Sequence, residues 1–339
     1  MGISVSLLDP ADQGAVDEAY RIGAAVEATD LPDQPPYCRR RFEGLIRHPM
    51  AGVTTHWSLA RLDGVPAGWL RLDLPQLDNT GNAHAELRVH PAYRRRGVGR
   101  ALAGHGRRLL REAGRKRAAW SAVDALPGGP ERDPAGAAFS AALGARPVLT
   151  AVRRRLAVDR LDHAGLDALL GTARTVAAGY RTVRWRDATP EEYVADVAHL
   201  EGRMMTDIPL GELEWEQERV DAERIRGVDR ALDARGARRY HAGAVHEASG
   251  RLVAWTMLSF TASSDWQAWQ QQTIVDPDHR GHRLGLLTKI ENLRYVRAAE
   301  PALRAVDTYN AAENSHMIAI NEQLGFRPVD GSTEWQATI

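Results

Sequence analysis

The chain of 339 residues lacks several features that mark particular classes of protein. Cys38 is its single cysteine, so no disulfide can form within the chain, and a reducing cytoplasm is the expected location. Basic and acidic side chains balance at 44 each, so no overall charge favours nucleic acid or an anionic membrane. No apolar run is long enough to span a membrane, and the first residues form no secretory leader. We expect a cytoplasmic globular protein with no membrane association.

The sequence also lacks the residue spacings typical of metal ligands, and it contains few lysines. The 12 histidines include no H-E-x-x-H pattern or similar spacing, so we expect no metal site. Lys116 and Lys289 are the only lysines, and arginine supplies the other positive charges. We attribute this bias, like the richness in alanine, to genome composition rather than to chemistry.

The chain contains an internal repeat, which is the strongest signal in the sequence. Val89, Pro91, Arg94 and Gly99 recur at equal spacing as Val275, Pro277, Arg280 and Gly285. Three further matches follow the same order: "RLDGVPAGWL" with "EASGRLVAWT", "LGARPV" with "LGFRPV", and "TDLP" with "TDIP". The sequence therefore predicts a duplicated domain.

Both halves show the same order of predicted elements. A strand and two helices precede a hairpin, a further strand, the arginine-rich turn, a long helix, a strand, a short helix and a final strand. We predict domains at 1–157 and 180–339, joined by a linking helix at 158–179 that ends at Gly179. The predicted fold class is mixed α+β, with two tandem domains that each have a mostly antiparallel twisted sheet and helices on both faces.

The repeated turn has the chemistry of an anion site. A strand leads into "RRRGVGR" or "RGHRLGL" and then into a helix, so that backbone N–H groups and the helix N-terminus converge. The spacing matches neither a P-loop nor a Rossmann turn. Arg283 replaces the first glycine, Gly97, in the second copy, and an arginine fits there if the backbone stays right-handed. The alternative is a surface turn with solvated arginines.

These turns, with "LGF-R-P" and its counterpart farther on, resemble those of the GNAT acetyltransferase superfamily, and the whole chain is similar to its tandem-domain members of actinobacterial type. The resemblance implies that each turn binds the pyrophosphate of acetyl-CoA, or of another short acyl-CoA. It also implies that the acyl arm lies between the strand before the turn and the next strand. The cofactor-binding residues that it implies are Val89, Arg94, Arg95, Arg96, Gly97, Val98, Gly99 and Arg100, and Val275, Arg280, Gly281, His282, Arg283, Leu284, Gly285, Leu286 and Asn314.

The resemblance also implies an acid for the leaving thiolate. The family commonly has a tyrosine for this purpose in its last helix, four residues before a Gly-Phe pair. Asn321 stands at that position in the second half, and Ser140 stands there in the first. Neither half keeps the tyrosine, so water is one source of the proton, with Asn321 as a hydrogen-bond donor.

A general base must deprotonate the incoming ammonium group. Glu86 and, more weakly, His84 lie on one face of the strand before the first turn. The alternative for Glu86 is a carboxylate paired with an arginine. Glutamines replace both residues in the second half, where Asp307 and Tyr309 on the following strand are the candidates.

On the acceptor side, the resemblance implies that the loop between the first two helices covers the pocket in each half. Its candidate residues are Asp30 in the first half and Asp207, Glu212 and Trp215 in the second. Several carboxylates there would favour a cationic amine, although a solvated acidic helix end is an equal alternative.

The sequence therefore predicts an acyl-CoA-dependent N-acyltransferase that acetylates the primary amine of a small molecule by direct attack, with an antibiotic or specialised metabolite as one class of acceptor. Two alternatives stay open. The basic stretch 93–117 could dock an RNA, such as an aminoacyl-tRNA donor or a ribosomal target, or both halves could bind CoA without catalysis. The second half is slightly favoured for the chemistry, and the oligomeric state, a homodimer included, is left open.

Overall fold

The computed structural model describes residues 2–207 and 209–339, with only the backbone of Met205 and Thr206. Ile208, in the second Thr-Asp-hydrophobic-Pro repeat, lies outside the described residues. The chain forms two compact units. The first comprises Met1–Ala151, Leu210–Glu216 and Asp330–Ile339, and the second comprises Val152–Pro209 and Gln217–Val329. Within the described part of the chain, no helix is long and apolar enough to cross a membrane.

The elements follow the predicted order in both halves. The first half has β1 (Ile3–Leu7), α1 (Gln13–Asp30), α2 (Arg39–Arg47), β2 (Val53–Leu62), β3 (Val65–Pro75), β4 (Asn82–Val89), α3 (Val98–Glu112), β5 (Arg117–Asp124), α4 (Ala135–Ala142) and β6 (Arg146–Ala157). The second has α5 (His163–Val176), β7 (Tyr180–Arg186), α6 (Glu191–Gly202), α7 (Met204–Asp207), α8 (Ala222–Ala234), β8 (Arg238–His246), β9 (Leu252–Phe260), β10 (Gln267–Val275), α9 (Leu284–Ala299), β11 (Ala305–Ala311), α10 (Ser315–Gln323) and β12 (Arg327–Thr338).

The first unit is built on a sheet that is antiparallel from β1 to β4. Alternate residues of a strand face opposite sides, so Trp69 and Leu70 of β3 enter two different cores. Trp69 packs with Phe42 and Trp57 under α1 and α2. Leu70 packs with Leu102 of α3 on the other face. The amphipathic pattern of α3 that predicted a helix over 98–114 thus reflects one face buried against this sheet.

The last strand of the chain completes the first unit. β12 runs antiparallel to β5, from the Gly331–Asp124 pair to the Thr338–Arg117 pair. By the sequence repeat, β12 belongs to the second copy, but in the structure it pairs with β5 of the first unit. Nothing in the local sequence distinguishes the two arrangements, because either one satisfies the same backbone hydrogen bonds. The predicted boundaries at 157 and 180 stay a prediction.

The second unit repeats the plan, with β7 to β10 antiparallel and β11 parallel to the start of β10. The later part of β6 lies beside β11. Helix α5, predicted as a linker, packs its Leu166, Leu170 and Ala173 into the core against α9. Because α5 covers the side of α9 that faces away from the sheet, α9 is buried over most of its circumference, unlike α3.

The core beneath α6 contains a buried histidine with a structural role. His241 lies between the rings of Trp185 and Trp255, at centroid distances of 4.9 and 5.9 Å. Trp255 Nε1 donates to His241 Nδ1 at 3.0 Å, and His241 Nε2 donates to the Asp187 carbonyl. Burial lowers the pKa of His241 to about 3, so the ring stays neutral. The predicted fold class, mixed α and β with mostly antiparallel strands and packed helices, is confirmed, although the strands of the two halves belong to one 12-stranded sheet.

Arg132 provides the first testable prediction. Its buried guanidinium contacts the fully buried Asp330 of β12 at 2.7 Å and Asp33 at 2.5 Å. Arg132→Ala removes the counter-charge of a buried carboxylate, so denaturant titration should show a loss of about 3–5 kcal/mol in the free energy of unfolding. Arg146→Ala is the matched control, because the Arg146–Glu212 pair is exposed and should contribute less than about 1 kcal/mol. Equal losses in the two variants would contradict this role of Arg132.

Candidate functional site

The two arginine-rich turns share one backbone conformation. In the first, Arg95 and Gly97 are left-handed, with φ of 62° and 88°. In the second, the equivalent positions are Gly281 and Arg283, with φ of 85° and 55°. Each turn therefore has one glycine and one arginine at its two left-handed positions, in opposite order. The expectation that Arg283 would be right-handed is wrong, because the entry into α9 requires the left-handed residue whichever side chain is present.

Next to each turn, two parallel strands separate. β4 pairs with β5 only at Asn82–Arg117, Ala83–Ala118 and His84–Ala119, although β4 continues to Val89. β10 likewise pairs with β11 over three residues, the last pair being Trp269–Asp307. Beyond these pairs the inner edge of each strand has no neighbouring strand. An extended arm with amide groups can add to such an edge, and the turn then lies at its phosphate end.

The strand before the second turn has an irregularity that the first lacks. β10 pairs with β9 at Gln270–Leu258 and then at Thr273–Thr256, so a bulge lies between Gln270 and Thr273. β4 pairs with β3 without interruption from His84 to Val89. Bulges commonly re-aim side chains next to active sites. The geometry therefore distinguishes the second unit as the one with the modified strand.

An aspartate holds the first arginine of each turn. Asp30, at the end of α1, binds Arg94 through both carboxylate oxygens at 2.6 and 2.9 Å. Asp207, at the end of α7, contacts Arg280 at 3.0 Å. Both aspartates were candidates for an acceptor pocket, but in the structure each one contacts the first arginine of a turn. Arg94 Nε also donates to the carbonyl of Val89, at 3.3 Å.

The carboxyl group of Glu201 faces the bulge of β10. Glu201 lies on the side of α6 that also carries Val194 and Val197, and it accepts a hydrogen bond from Gln272 Nε2 at 3.1 Å. Burial raises the pKa of Glu201. The end of α6 and residues 217–220 line a cavity of about 490 Å³, on a different side of α6 from Glu201. Glu201 itself combines a raised pKa with a contact to the splayed strand.

Comparisons with known proteins agree with this architecture. Residues 22–126 match the Acetyltransferase (GNAT) family. The chain is 30% identical to a mycothiol acetyltransferase of Actinosynnema mirum over 300 residues, which are 86% of this chain and 84% of that protein. A mycothiol acetyltransferase of Salinispora arenicola is 28% identical, with 94% and 91% covered. A tandem GNAT protein from the clavulanic acid biosynthesis pathway superposes with a TM-score of 0.85 at 35% identity, over 99% of this chain and 98% of its own.

The chain belongs to the GNAT acetyltransferase family. The tandem-domain resemblance found in the sequence is thereby confirmed. This GNAT protein is an N-acetyltransferase by family, and GNAT proteins use acyl-CoA. Its turns and separated strands fit that donor in both units, because each has a left-handed turn at a helix N-terminus beside an open strand edge. Among residues 2–207 and 209–339, no cluster of three or more His, Cys, Asp and Glu side chains could hold a metal ion.

Glu86, the first candidate base of this GNAT chain, is held as an anion. It contacts Arg88 Nε at 3.0 Å and Arg71 at 3.2 Å. Burial acts to raise the pKa of Glu86, but Arg88 and Arg71 outweigh it and lower the pKa to about 2. Such a carboxylate is a weak base, which agrees with the alternative interpretation of an ion pair. Glu27 of α1, which sequence reasoning missed, has a pKa raised by burial near the same strand.

Asp307 and Tyr309, the candidates of the second half, lie on β11 but do not form one site. Asp307 is fully buried and contacts Arg153 at 3.0 Å, Arg155 at 2.6 Å and Gln267 at 3.1 Å. Tyr309 is 41% exposed and stacks on Trp269, with centroids 5.6 Å apart. Asp307 thus neutralises two arginines between β6 and β11.

The polar residues of the last helices are bound to their neighbours. Asn321 is fully buried, and its Nδ2 donates to Asn310 of β11 at 2.8 Å. Asn314 begins α10 and accepts from the Met317 N–H at 3.1 Å. In the first unit, Ser140 accepts from Trp120 Nε1 at 2.8 Å. Position 321 therefore anchors α10 to the sheet and supplies no acidic proton.

Glu212 and Trp215 lie away from Asp207, in the segment 210–216 of the first unit. Glu212 is 74% exposed and contacts Arg146 at 2.6 Å, and its N–H donates to the Val148 carbonyl. The structure therefore does not bring these two residues to the second-unit pocket. Their acidic run could be seen in the sequence, but the direction that the loop takes depends on tertiary contacts.

The shared left-handed turn leads to a stability prediction. Gly97→Ala places a side chain at φ 88°, so it should lower the free energy of unfolding by about 1–2 kcal/mol. Gly104→Ala, in the exposed right-handed part of α3, should raise it by about 1 kcal/mol, because alanine favours a helix. Denaturant titration compares the two variants. A stabilising effect of Gly97→Ala would rule out the left-handed conformation.

Proposed function

We propose that this GNAT protein transfers an acetyl group from acetyl-CoA to the primary amine of a small molecule, by direct attack of the amine on the thioester, and that the second unit performs the reaction. The observation that carries the proposal is Glu201, whose carboxyl group has a raised pKa and is hydrogen-bonded to Gln272 at the bulge of β10.

The donor would be held by the second turn and the open edge of β10. The N-terminus of α9 and the turn N–H groups attract the pyrophosphate, and Arg280 adds positive charge once its contact with Asp207 is exchanged for phosphate. Gly285 leaves space beside Val275 for close approach, since a Cβ there would lie 3.7 Å or more from its neighbours. Acetyl-CoA supplies the activated acetyl group, and the protein positions it.

Glu201 is suited to the proton transfer that this reaction needs. An ammonium acceptor must lose a proton before it attacks, and the best base has a pKa raised toward the working pH. Glu86 in the first unit has a lowered pKa, because Arg88 and Arg71 stabilise its charged form. The difference arises from the neighbours: an amide, Gln272, faces Glu201 where guanidinium groups face Glu86.

The size and lining of the pocket favour a small acceptor. A volume of about 490 Å³ lies within the range of small-molecule sites. Its lining includes Glu218 together with Arg203 and Arg219, so an acceptor with an amine and further polar groups matches it. The relatives named mycothiol acetyltransferase and the tandem GNAT protein of clavulanic acid biosynthesis support a small-molecule acceptor, of the specialised-metabolite class.

Glu201→Gln tests the base. The variant should lower kcat by about 10²–10⁴-fold, because the amide cannot accept the proton. In the wild type the carboxylate is the active form, so activity should fall as the pH drops through a pKa above the usual 4.5 of a glutamate, and the variant should lose this dependence. Thiol release from acetyl-CoA with a panel of primary amines provides the measurement. Glu86→Gln is the comparison, and a larger loss there than in Glu201→Gln would move the chemistry to the first unit.

Donor binding is tested separately by calorimetric titration of acetyl-CoA. Gly99→Trp and Gly285→Trp each place an indole beside one turn, against Phe139 or Ile320. Two sites in the wild type, each abolished by one variant, are the expected result. No binding by any form would contradict the proposal. Salt-dependent RNA binding without amine-dependent thiol release would favour the RNA-binding alternative.

A further inference from the structure

Lys289 is a buried cation without a counter-charge. It lies on α9 with 3% of its surface exposed, whereas Lys116, the other lysine, is exposed. Among the residues that the structure describes, its ammonium group has no hydrogen-bond or ion-pair partner, and its one polar interaction is with the ring of Phe326, whose centroid is 5.6 Å from Nζ. Burial lowers the pKa of Lys289 to about 7. A buried charge usually has a partner, so this group requires an explanation.

The position of Lys289 points to the donor site. Residues four apart share one face of a helix, and Gly285 on that face lies near Val275 and Thr273 of β10 and near Ile320 of α10. The N–H of Phe326, beside the ammonium group, donates to the carbonyl of Asn321 at 3.0 Å. Lys289 therefore lies one helical turn beyond the phosphate turn, between α9 and the end of α10.

The charged groups on the elements around α9 do not neutralise the ammonium group of Lys289. β9 and β10 carry no titratable side chain. The ionisable residues on the other elements around α9 contact one another or aromatic rings. These contacts are Arg174 of α5 with Glu291, Asp167 of α5 with Arg294, Arg238 of β8 with Glu300, Arg239 of β8 with Asp229, Arg184 of β7 with Tyr295, Arg186 of β7 with Tyr240, and Arg153 and Arg155 of β6 with Asp307.

Two further groups lie on the side of α10. Arg154 of β6 is buried, and its Nε and Nη1 have no hydrogen-bond partner within the described chain. Glu322 of α10 is exposed and is the acidic group that acts on Arg154. Lys289 and Arg154 are thus both buried basic side chains, and within the described residues no carboxylate contacts the ammonium group of Lys289.

We propose that Lys289 donates a proton to the thiolate of CoA as the acetyl group leaves. This inference rests on the proposed function of the second unit. The position where the family commonly has an acidic tyrosine is occupied by Asn321, whose amide is bound to Asn310. Lys289 lies near the ring of Phe326, whose backbone N–H donates to the carbonyl of Asn321, and burial lowers the pKa of Lys289.

The step balances as follows. The acceptor nitrogen forms a bond to the acetyl carbon, and the carbon–sulfur bond breaks with its electron pair on sulfur. A proton passes from Lys289 Nζ to the sulfur, which leaves CoA as a thiol and Lys289 as a neutral amine. Glu201 takes the proton lost by the acceptor nitrogen, and exchange with solvent restores both groups. In the first unit the residue equivalent to Lys289 is Ala103, so only the second unit has this donor.

The test compares CoA with desulfo-CoA, which lacks the sulfur atom. Gly99→Trp serves as the background, so that binding reports the second unit alone. Near neutral pH, CoA should bind about tenfold more tightly than desulfo-CoA, because its sulfur atom accepts a hydrogen bond from the buried ammonium group. Lys289→Met should reduce this ratio to about one, and Lys116→Met, the matched control, should leave it unchanged.

Lys289→Arg separates charge from proton transfer and guards against a folding defect in Lys289→Met. It should keep the preference for CoA but lose kcat by about 10²-fold or more, since a guanidinium does not release its proton. An unchanged CoA to desulfo-CoA ratio in Lys289→Met, or full kcat in Lys289→Arg, would overturn the inference. If neither ligand binds to Gly99→Trp but both bind to Gly285→Trp, the proposed role of the second unit fails instead.

Discussion

The separation of two parallel strands is the constraint on which each unit depends. β4 and β5, like β10 and β11, hold together for three residues and then diverge, so one edge of each strand loses its neighbouring strand. An unpaired strand edge in a protein interior is costly unless something pairs with it. The turn and helix N-terminus at the end of that edge attract an anion, so the same ligand can satisfy both features. The fold of each unit is therefore suited to bind an extended molecule that carries phosphate.

The two units differ in the electrostatics around that edge. In the first, arginines surround the carboxylate of Glu86 and hold it in its charged form. In the second, desolvation dominates, and it shifts the pKa values of Glu201 and Lys289 in opposite directions, upward for the acid and downward for the base. Both shifts move the pKa of a group that is normally ionised at neutral pH closer to neutral pH. Duplication has thus produced one unit with paired charges and one with unpaired, titratable groups.

Several features could be predicted from the sequence because they depend on local patterns. The repeat, the order of elements and the bounds of α3 and α9 follow from periodicity and from matched motifs. The anion turns could also be predicted. The left-handed backbone conformation of Arg283 could not, because a residue other than glycine usually favours a right-handed conformation, and only the structure shows how the chain enters α9. Asp30 and Asp207 were identified as important, but their partners, Arg94 and Arg280, lie far away in the sequence.

The sequence by itself determined the family, the duplicated architecture and the two phosphate turns, because these are encoded in short stretches whose residues act together locally. The tertiary structure alone decided which ionisable groups are buried, and with which neighbours. Glu201 and Lys289 look like ordinary helix residues in the sequence, and they differ from exposed ones only because α6 packs on the bulge of β10 and α5 and α10 enclose α9. A pKa depends on solvation and on charges brought close in space, so no reading of the chain in one dimension could have identified them.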